Sequence, residues 1–511
     1  MQMIKYSTTL ALALALASAG DIWAQEADPT APPDLPENPT PSDFLPKSQI
    51  VPVAEQGLDE DANLDAGNDI GPPVESDEQL MLREFELFKQ LIQEGVFDEA
   101  DTVAKRLVEM TLRTKGPQSN EFAKALTNLA IVQFQTEEYD ASKQNFESAI
   151  EIIEDIEDRL NAQLINPLKG LGAAQLESGR PDQASVTFQR AVHVSHVNEG
   201  PHNLEQIGLL ESLAETHLRM GDLETAKEAQ DTIYALNIRA YQLDTIELVP
   251  ALMRRAAWQH RAGFIYDERT TYRRVVRIFE TQISRDAIEL IEPLIMLGKS
   301  FFFVDTSGDD GYYASSVNSG EIYFRRAVKI AEENPESDWH LLAQSKLSLA
   351  DYYMYENNSQ RARQVYADVW ELLSADEDRL AVRREQLEDI VVLKMRDIPQ
   401  FAAAQDTKQE PEEEQPLVQS EDQLLQGSVK VAFTISTRGR ASKIFLLEAE
   451  PAEFNKMVTD VVREIRRRIY RPPHKDGVAV DSAEQRLEHK FFYRQSDLDF
   501  LRAEAAAEDD V

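Results

Sequence analysis

The sequence predicts a mainly α-helical fold: a right-handed α-solenoid of about seven 42-residue helical hairpins, followed by a small α+β domain of order ββαβ. Three observations predict it. Equivalent apolar positions recur at a constant step, glycine-containing turns separate amphipathic segments, and the apolar pattern changes from a helical period to strict alternation after Gly427. A fixed step of this length is typical of stacked helix pairs.

One small position in the first helix of each pair defines the phase. Its equivalents, each 42 residues from the next, are Phe88, Ala130, Gly172, Ala214, Ala256 and Gly298. The second helices give Leu107, Ala149, Ala191, Ile233, Val275, Ala327 and Val369. Only some of these residues are small, so the phase matters more than the residue type. The step from Val275 to Ala327 is 52 residues, which places a ten-residue insertion in the glycine-rich run 305–311 and its neighbours.

The turn at Gly179 is the most regular part of this pattern. Ala184, Phe188 and Ala191 follow it at the spacing of two packed helices, because small residues allow close approach and the aromatic ring fills the gap beside them. This layout resembles a tetratricopeptide repeat, and the step of 42 resembles the variety found in kinesin light chains.

That resemblance implies a groove that binds an extended segment of a protein partner. For each lining residue, ordinary packing or solvation is the alternative interpretation. The implied lining residues are Asn128, Ile131, Lys169, Glu215, Arg219, Lys299, Phe302, Asp351 and Tyr355.

Aromatic and histidine clusters offer further candidate sites. In Phe301-Phe302-Phe303 the side chains point in different directions, so we expect at least one to be exposed and able to anchor a partner, unless Tyr312-Tyr313 covers it. His193 and His196 lie one helical turn apart, near His202, but no third ligand is assured. We therefore predict no metal and no cofactor. Nucleotide-binding and hydrolase motifs are missing from the sequence, so we predict no catalytic residues and no enzyme activity.

The N-terminus predicts export. Lys5 precedes an apolar run at 10–17 that ends in small residues, which is typical of a signal peptide over residues 1–24, cleaved after Ala19 or Ala24. An uncleaved anchor is the alternative. Residues 25–77 are rich in proline and acidic side chains, which predicts a disordered tether. We expect a periplasmic protein that can associate with the cell envelope. The net charge of −38 argues against nucleic acid or anionic lipid as a partner.

The remaining boundaries follow from composition. Residues 78–397 form the repeat array, which a charged helix from Glu377 to Met395 should cap, and 398–426 form an acidic linker. The small domain occupies 427–494 and an acidic tail 495–511.

The small domain contains three strands and one helix. Val429, Val431, Phe433 and Ile435 alternate with more polar residues, and a second strand follows at 442–448. The helix covers 451–469 and the last strand 486–493.

Its motifs resemble the C-terminal domain of TonB-family proteins. They are the Gly427-led Val-x-Val-x-Phe-x-Ile strand, the Gly439 turn, Tyr470-Arg471-Pro472, Gly477 and Phe491-Phe492-Tyr493. The resemblance implies docking to an outer-membrane receptor, whose peptide would add to the edge strand containing Glu488, Lys490, Phe491 and Phe492. Together these features predict an exported scaffold that supports transmembrane transport. Because an energy transducer of this family keeps its membrane anchor, the alternative is a membrane-anchored TonB-type transducer.

Charge distinguishes this domain from the rest of the chain. Residues 427–494 carry fourteen basic and nine acidic side chains, a net charge of +5. The cations near the end of the helix favour its macrodipole, which is one interpretation. The other is a docking patch for an acidic partner, including the acidic linkers of the same chain. Its principal residues are Arg467 and Arg471, within the set Arg463, Arg466, Arg467, Arg468 and Arg471.

Overall fold

The computed structural model describes residues 76–303, 320–394 and 424–509. The predicted signal peptide, nearly all of the N-terminal tether, the glycine-rich insertion with Tyr312-Tyr313 and most of the acidic linker lie outside these ranges. The described residues belong to two compact units, with the boundary between Gln242 and Leu243.

The first unit contains four helix pairs, numbered 1 to 4. Ser76 closes a capping box at the first helix, and Gly95 and Gly221 end helices in the left-handed conformation, so local sequence defines these boundaries. The helices are α1 (Asp77–Glu94), α2 (Phe97–Lys115), α3 (Asn120–Gln135), α4 (Tyr139–Ile156), α5 (Ile165–Glu177), α6 (Pro181–Glu199), α7 (Ile207–Met220) and α8 (Leu223–Tyr241).

The second unit begins with three more pairs, numbered 5 to 7, and a short helix. They are α9 (Val249–Arg261), α10 (Ile265–Gln282), α11 (Ile291–Ser300), α12 (Glu321–Glu333), α13 (Trp339–Tyr355), α14 (Ser359–Leu372) and α15 (Glu377–Arg383).

The predicted capping helix is wrong in its second half. After Arg383 the chain makes one π-helical turn, Arg384–Glu388, and then forms strand β1 (Val391–Lys394). The reason is tertiary: Leu387 is buried, and β1 pairs with a strand of the C-terminal domain.

The predicted repeat phase is confirmed by burial, because every position assigned to it in the first and second helices is buried. A Cβ atom on Gly172 would lie 2.7 Å from the ring of Phe188, and one on Gly298 would lie 2.7 Å from the ring of Phe324. At Gly172 and Gly298 the absence of a side chain therefore lets the aromatic ring of the second helix lie directly against the first helix.

The C-terminal module, residues 424–509, has the predicted ββαβ order with additional short elements. The elements are β2 (Leu424–Ile435), β3 (Ala441–Glu450), α16 (Asn455–Arg467), β4 (Ile469–Arg471), β5 (His474–Lys475), β6 (Val478–Ala479), β7 (Gln485–Arg494) and α17 (Gln495–Asp509).

Three of these strands form an antiparallel sheet of order β3-β2-β7, in which Val431 pairs with Leu446 on one side and with Leu487 on the other. The apolar residues of α16 pack on one face of this sheet. β1 pairs antiparallel with β4, and β5 with β6. The predicted acidic tail is helical through Asp509, and Leu498 joins the module's core.

Candidate protein-binding site

In pair 4 the predicted groove residues Glu215 and Arg219 contact each other. Arg219 Nε donates to Glu215 Oε1 at 3.0 Å, and its Nη1 donates to Glu177 Oε1 at 2.9 Å. Burial lowers the pKa of Arg219, but the two carboxylates outweigh it and the pKa is raised. The sequence analysis missed Glu177, although it lies one repeat step before Arg219, so opposite charges at equivalent positions were an available signal.

A second polar contact recurs within the pairs. The residue three positions after the small residue accepts a hydrogen bond from the second helix of the same pair. Asn145 donates to Gln133 at 2.7 Å, and Thr187 donates to Gln175 at 2.7 Å. In pair 5, Thr271 donates to Gln259 at 2.8 Å. These contacts satisfy buried amides, which indicates a structural role.

The second unit contains a buried cluster around Asp351 of α13. Arg471 donates from Nε to Asp351 Oδ1 at 2.8 Å and from Nη2 to Oδ2 at 2.6 Å. Its Nη1 donates to the Gln386 carbonyl at 2.7 Å, and Tyr366 donates its hydroxyl to Asp351 Oδ1 at 2.7 Å. The side chains of Arg471 and Asp351 are only 5% and 6% exposed. We call Asp351, Tyr366 and Gln386 the Asp351 site.

Burial governs the electrostatics of this cluster. It opposes ionisation of Arg471, but Asp351 outweighs it, and the pKa of Arg471 is raised. Burial, together with Asp351, raises the pKa of Tyr366 well above its usual range. Burial also lowers the pKa of Lys299 on α11. His474, whose ring lies 4.7 Å from that of Tyr366, is buried, and this burial lowers its pKa to about 4.

Two tight turns of the module also contact pair 7. A Cβ on Gly477, between β5 and β6, would lie 3.9 Å from Trp370 Cβ on α14. A Cβ on Gly439, in the β2–β3 turn, would lie 3.3 Å from Met354 Cγ on α13. Both glycines have positive φ, a backbone conformation that glycine adopts readily. The two tight turns that result place the module against these helices.

The structure corrects several predicted partner-binding residues. Asp351 and Arg471, assigned to two different partners, bind each other. Phe302 is buried and stacks on Tyr355 at 4.5 Å, so it belongs to an aromatic core. The other predicted groove residues are also shielded: Asn128, Ile131 and Glu215 are buried, while Lys169, Arg219, Lys299 and Tyr355 are half-buried.

The expectation that one residue of the phenylalanine triplet is exposed is wrong. Phe301 is half-buried, with the Arg269 guanidinium 3.8 Å from its ring centre. Phe303 is half-buried too, and its ring contacts His260 edge-on at 4.4 Å. A cation and a histidine ring cover these two side chains, so the triplet offers no exposed anchor.

In the C-terminal module the predicted residues separate into two groups. Arg467 and Lys490 are exposed, and Glu488 and Phe492 are half-buried. Phe491 is 1% exposed within the core, so its assignment to a partner is wrong. The predicted basic patch is smaller than expected, because its members Arg468 and Arg471 are buried.

His193, His196 and His202 are exposed. Within the three described ranges, no group of three or more potential metal-binding side chains comes together, and no helix is both long and apolar enough to cross a membrane.

Part of the chain matches a known repeat family. Residues 121–195 match the tetratricopeptide repeat. This stretch covers pair 2 and most of pair 3, and it confirms the tetratricopeptide part of the predicted resemblance. Tetratricopeptide repeats are typical of scaffolds for protein–protein interaction. No curated protein matches the chain.

Among solved structures, the chain is similar to a putative kinesin light chain with TPR-like repeats from Podosopora anserina, at 14% identity and a TM-score of 0.37, over 41% of this chain and 99% of that one. It is also similar to BtubC (BKLC) from P. vanneervenii, at 12% identity and a TM-score of 0.28, over 55% and 91% of the two chains.

Proposed function

We propose that this protein is an exported, non-enzymatic scaffold of the cell envelope. Its repeats hold one protein partner, and its C-terminal module docks an outer-membrane receptor or another envelope protein in support of transmembrane transport. The repeat match supports the scaffold role, the apolar N-terminal run supports export, and the TonB-like motifs together with the sheet support the docking role.

The observation that carries the docking role is the position of β7. This strand lies at one end of the three-stranded sheet, and within the described residues its ladder partner is β2 alone. Edge strands accept an extended peptide through their second row of backbone groups, with side chains adding specificity. Lys490 is exposed on this strand, so its side chain can contact an added peptide.

Site-specific photo-crosslinking in cells tests this role. A photoreactive residue at Lys490 should crosslink to an outer-membrane protein, whereas one at Lys475, an exposed position on β5, should not. Equal crosslinking from both positions, or none from Lys490, would count against docking through β7.

The mature N-terminus tests export and separates the two functional hypotheses. Mass spectrometry of the protein from a periplasmic fraction should find a chain that starts after Ala19 or Ala24. An intact N-terminus retained in the inner membrane would instead support the membrane-anchored transducer.

A further inference from the structure

Asp351 lies at a repeat position whose cation is missing from its own helix. Glu215 directly follows Ala214, the small residue of α7, and Asp351 directly follows Ala350, the small residue of α13. The residue four places later is Arg219 in α7 but Tyr355 in α13. In pair 4 the helix therefore supplies its own guanidinium. A buried carboxylate is costly unless it is paired, so Asp351 needs cations from outside α13: the Arg471 guanidinium binds it directly, and the Lys299 ammonium of α11 attracts it electrostatically.

The Asp351 site is shaped for a guanidinium group. Both carboxylate oxygens of Asp351 accept from Arg471 in a bidentate pair, and Gln386 accepts from the third nitrogen through its carbonyl and, at 3.2 Å, through Oε1. The hydroxyl of Tyr366 fixes the carboxylate from the other side. A lysine ammonium has no planar fork and cannot reproduce this pattern.

We propose that the Asp351 site binds the arginine side chain of an extended segment of a protein partner, and that Arg471 is an intramolecular ligand competing for the same site. In the docked state the module fills the site. A partner enters when the module leaves pair 7, and its arginine replaces Arg471. This proposal depends on the scaffold role of the repeats, but not on export or on docking through β7.

The module's contacts with α13 and α14 come from β4, the β5–β6 hairpin and the turn at Gly439, which are short segments. β4 also pairs with β1, which precedes the module in the chain, so release of the module either breaks this pairing or carries β1 with it. In both cases release separates short segments from the two helices.

The absence of cysteine from the sequence allows the docked state to be trapped. A Trp370→Cys/Gly477→Cys variant places two Cβ atoms 3.9 Å apart, inside the disulfide range of about 3.5–4.5 Å. Oxidation should lock the module on pair 7 and reduction should release it. Because Gly477 has φ +75, disulfide formation is verified by mass spectrometry.

The probe is a fluorescent peptide copying residues 468–475, with a control peptide carrying Arg471→Lys, and binding to the full chain is measured by anisotropy. The reduced cysteine variant should bind the arginine peptide at least tenfold more tightly than the oxidised form. Adding Arg471→Ala to the reduced variant should tighten binding at least tenfold again, because the internal competitor is gone. The lysine peptide should bind at least tenfold more weakly than the arginine peptide.

Three results would overturn the proposal: equal binding by the oxidised and reduced forms, equal binding of the arginine and lysine peptides, or no binding by the reduced Arg471→Ala chain with native circular dichroism. Asp351→Asn should abolish binding. If that variant does not fold, Tyr366→Phe retains the carboxylate and should weaken binding several-fold. A failed crosslink at Lys490 would leave this assay unchanged, so failure of β7 docking is distinguishable from failure of this proposal.

Discussion

Pairs 4 and 7 place a carboxylate at the same repeat position and neutralise it in different ways. Glu215 pairs with Arg219 from its own helix, which also reaches Glu177 of the preceding pair, so this cluster consists entirely of repeat residues. Asp351 pairs with Arg471, 120 residues away in the C-terminal module. The comparison shows that a carboxylate at one position of the repeat can take part in ion pairs between neighbouring repeats or in an ion pair with a different domain.

The largest effect should follow removal of the inter-domain arginine. Arg471→Ala removes the bidentate partner of the buried Asp351 carboxylate and leaves it with the electrostatic attraction of Lys299, and breaking a buried pair in this way costs about 3–5 kcal/mol. We expect a large decrease in the urea midpoint for unfolding of the second unit. Arg467→Ala, which removes an exposed cation four residues earlier, should change stability by less than about 0.5 kcal/mol. Similar midpoints for the two variants would show that Asp351 does not depend on Arg471.

The next effect concerns pH and applies to the second unit alone. The folded-state pKa of His474, about 4, lies below the ordinary value of 6.5, so the neutral ring is the folded form. As pH falls from about 6.5 to about 4, the unfolded chain takes up a proton that the folded chain does not, so stability is lost, by up to about 3 kcal/mol. The charges of Arg471 and Asp351 act on this titration in opposite directions, and the ring of Tyr366 lies 4.7 Å from the histidine ring.

The difference in unfolding free energy between wild type and His474→Phe isolates this contribution. Phenylalanine keeps a ring against Tyr366 but does not titrate. The variant should therefore lose less stability than wild type between pH 6.5 and pH 4. Parallel pH profiles would show that protonation of His474 does not oppose folding.

A third test asks whether the small position of the repeat has the same packing role in both units. The comparison of pairs 4 and 7 assumes that their repeat positions are equivalent. Gly172→Ala and Gly298→Ala should each cost about 1–3 kcal/mol, because the added Cβ would overlap the ring of Phe188 or Phe324. Gly208→Ala is the control: its Cβ would meet only Lys169 Nζ, at 3.5 Å, and alanine favours the helix. Thermal unfolding measures all three variants. Destabilisation by only one of Gly172→Ala and Gly298→Ala would mean that the small position does not have the same packing role in the two units.

Periodicity predicted much of this architecture, whereas docking depends on contacts that it does not encode. The small positions follow from one step of 42 because each pair buries the same surface, which is why Gly172 and Gly298 could be assigned in advance. Arg471 and Asp351 were assigned to two different partners, because no local pattern relates residues 120 positions apart. The displaced end of the capping helix has the same origin, since β1 pairs with β4, a strand of the C-terminal module. Tyr355 in place of an arginine was the available signal for a cation supplied from elsewhere.

The prediction with the smallest expected effect tests whether guanidinium geometry, beyond positive charge, matters at each of the two sites. Arg219 bonds two separate carboxylates with two of its nitrogens and is partly exposed, so Arg219→Lys keeps one ion pair and should cost about 1 kcal/mol. Arg471→Lys loses the bidentate pair and the Gln386 contacts in a buried site, and it should cost at least twice as much. Urea unfolding of the two variants measures this ratio. An equal cost would mean that both sites need only a positive charge, because the planar geometry that distinguishes a guanidinium from an ammonium would then contribute nothing at Asp351.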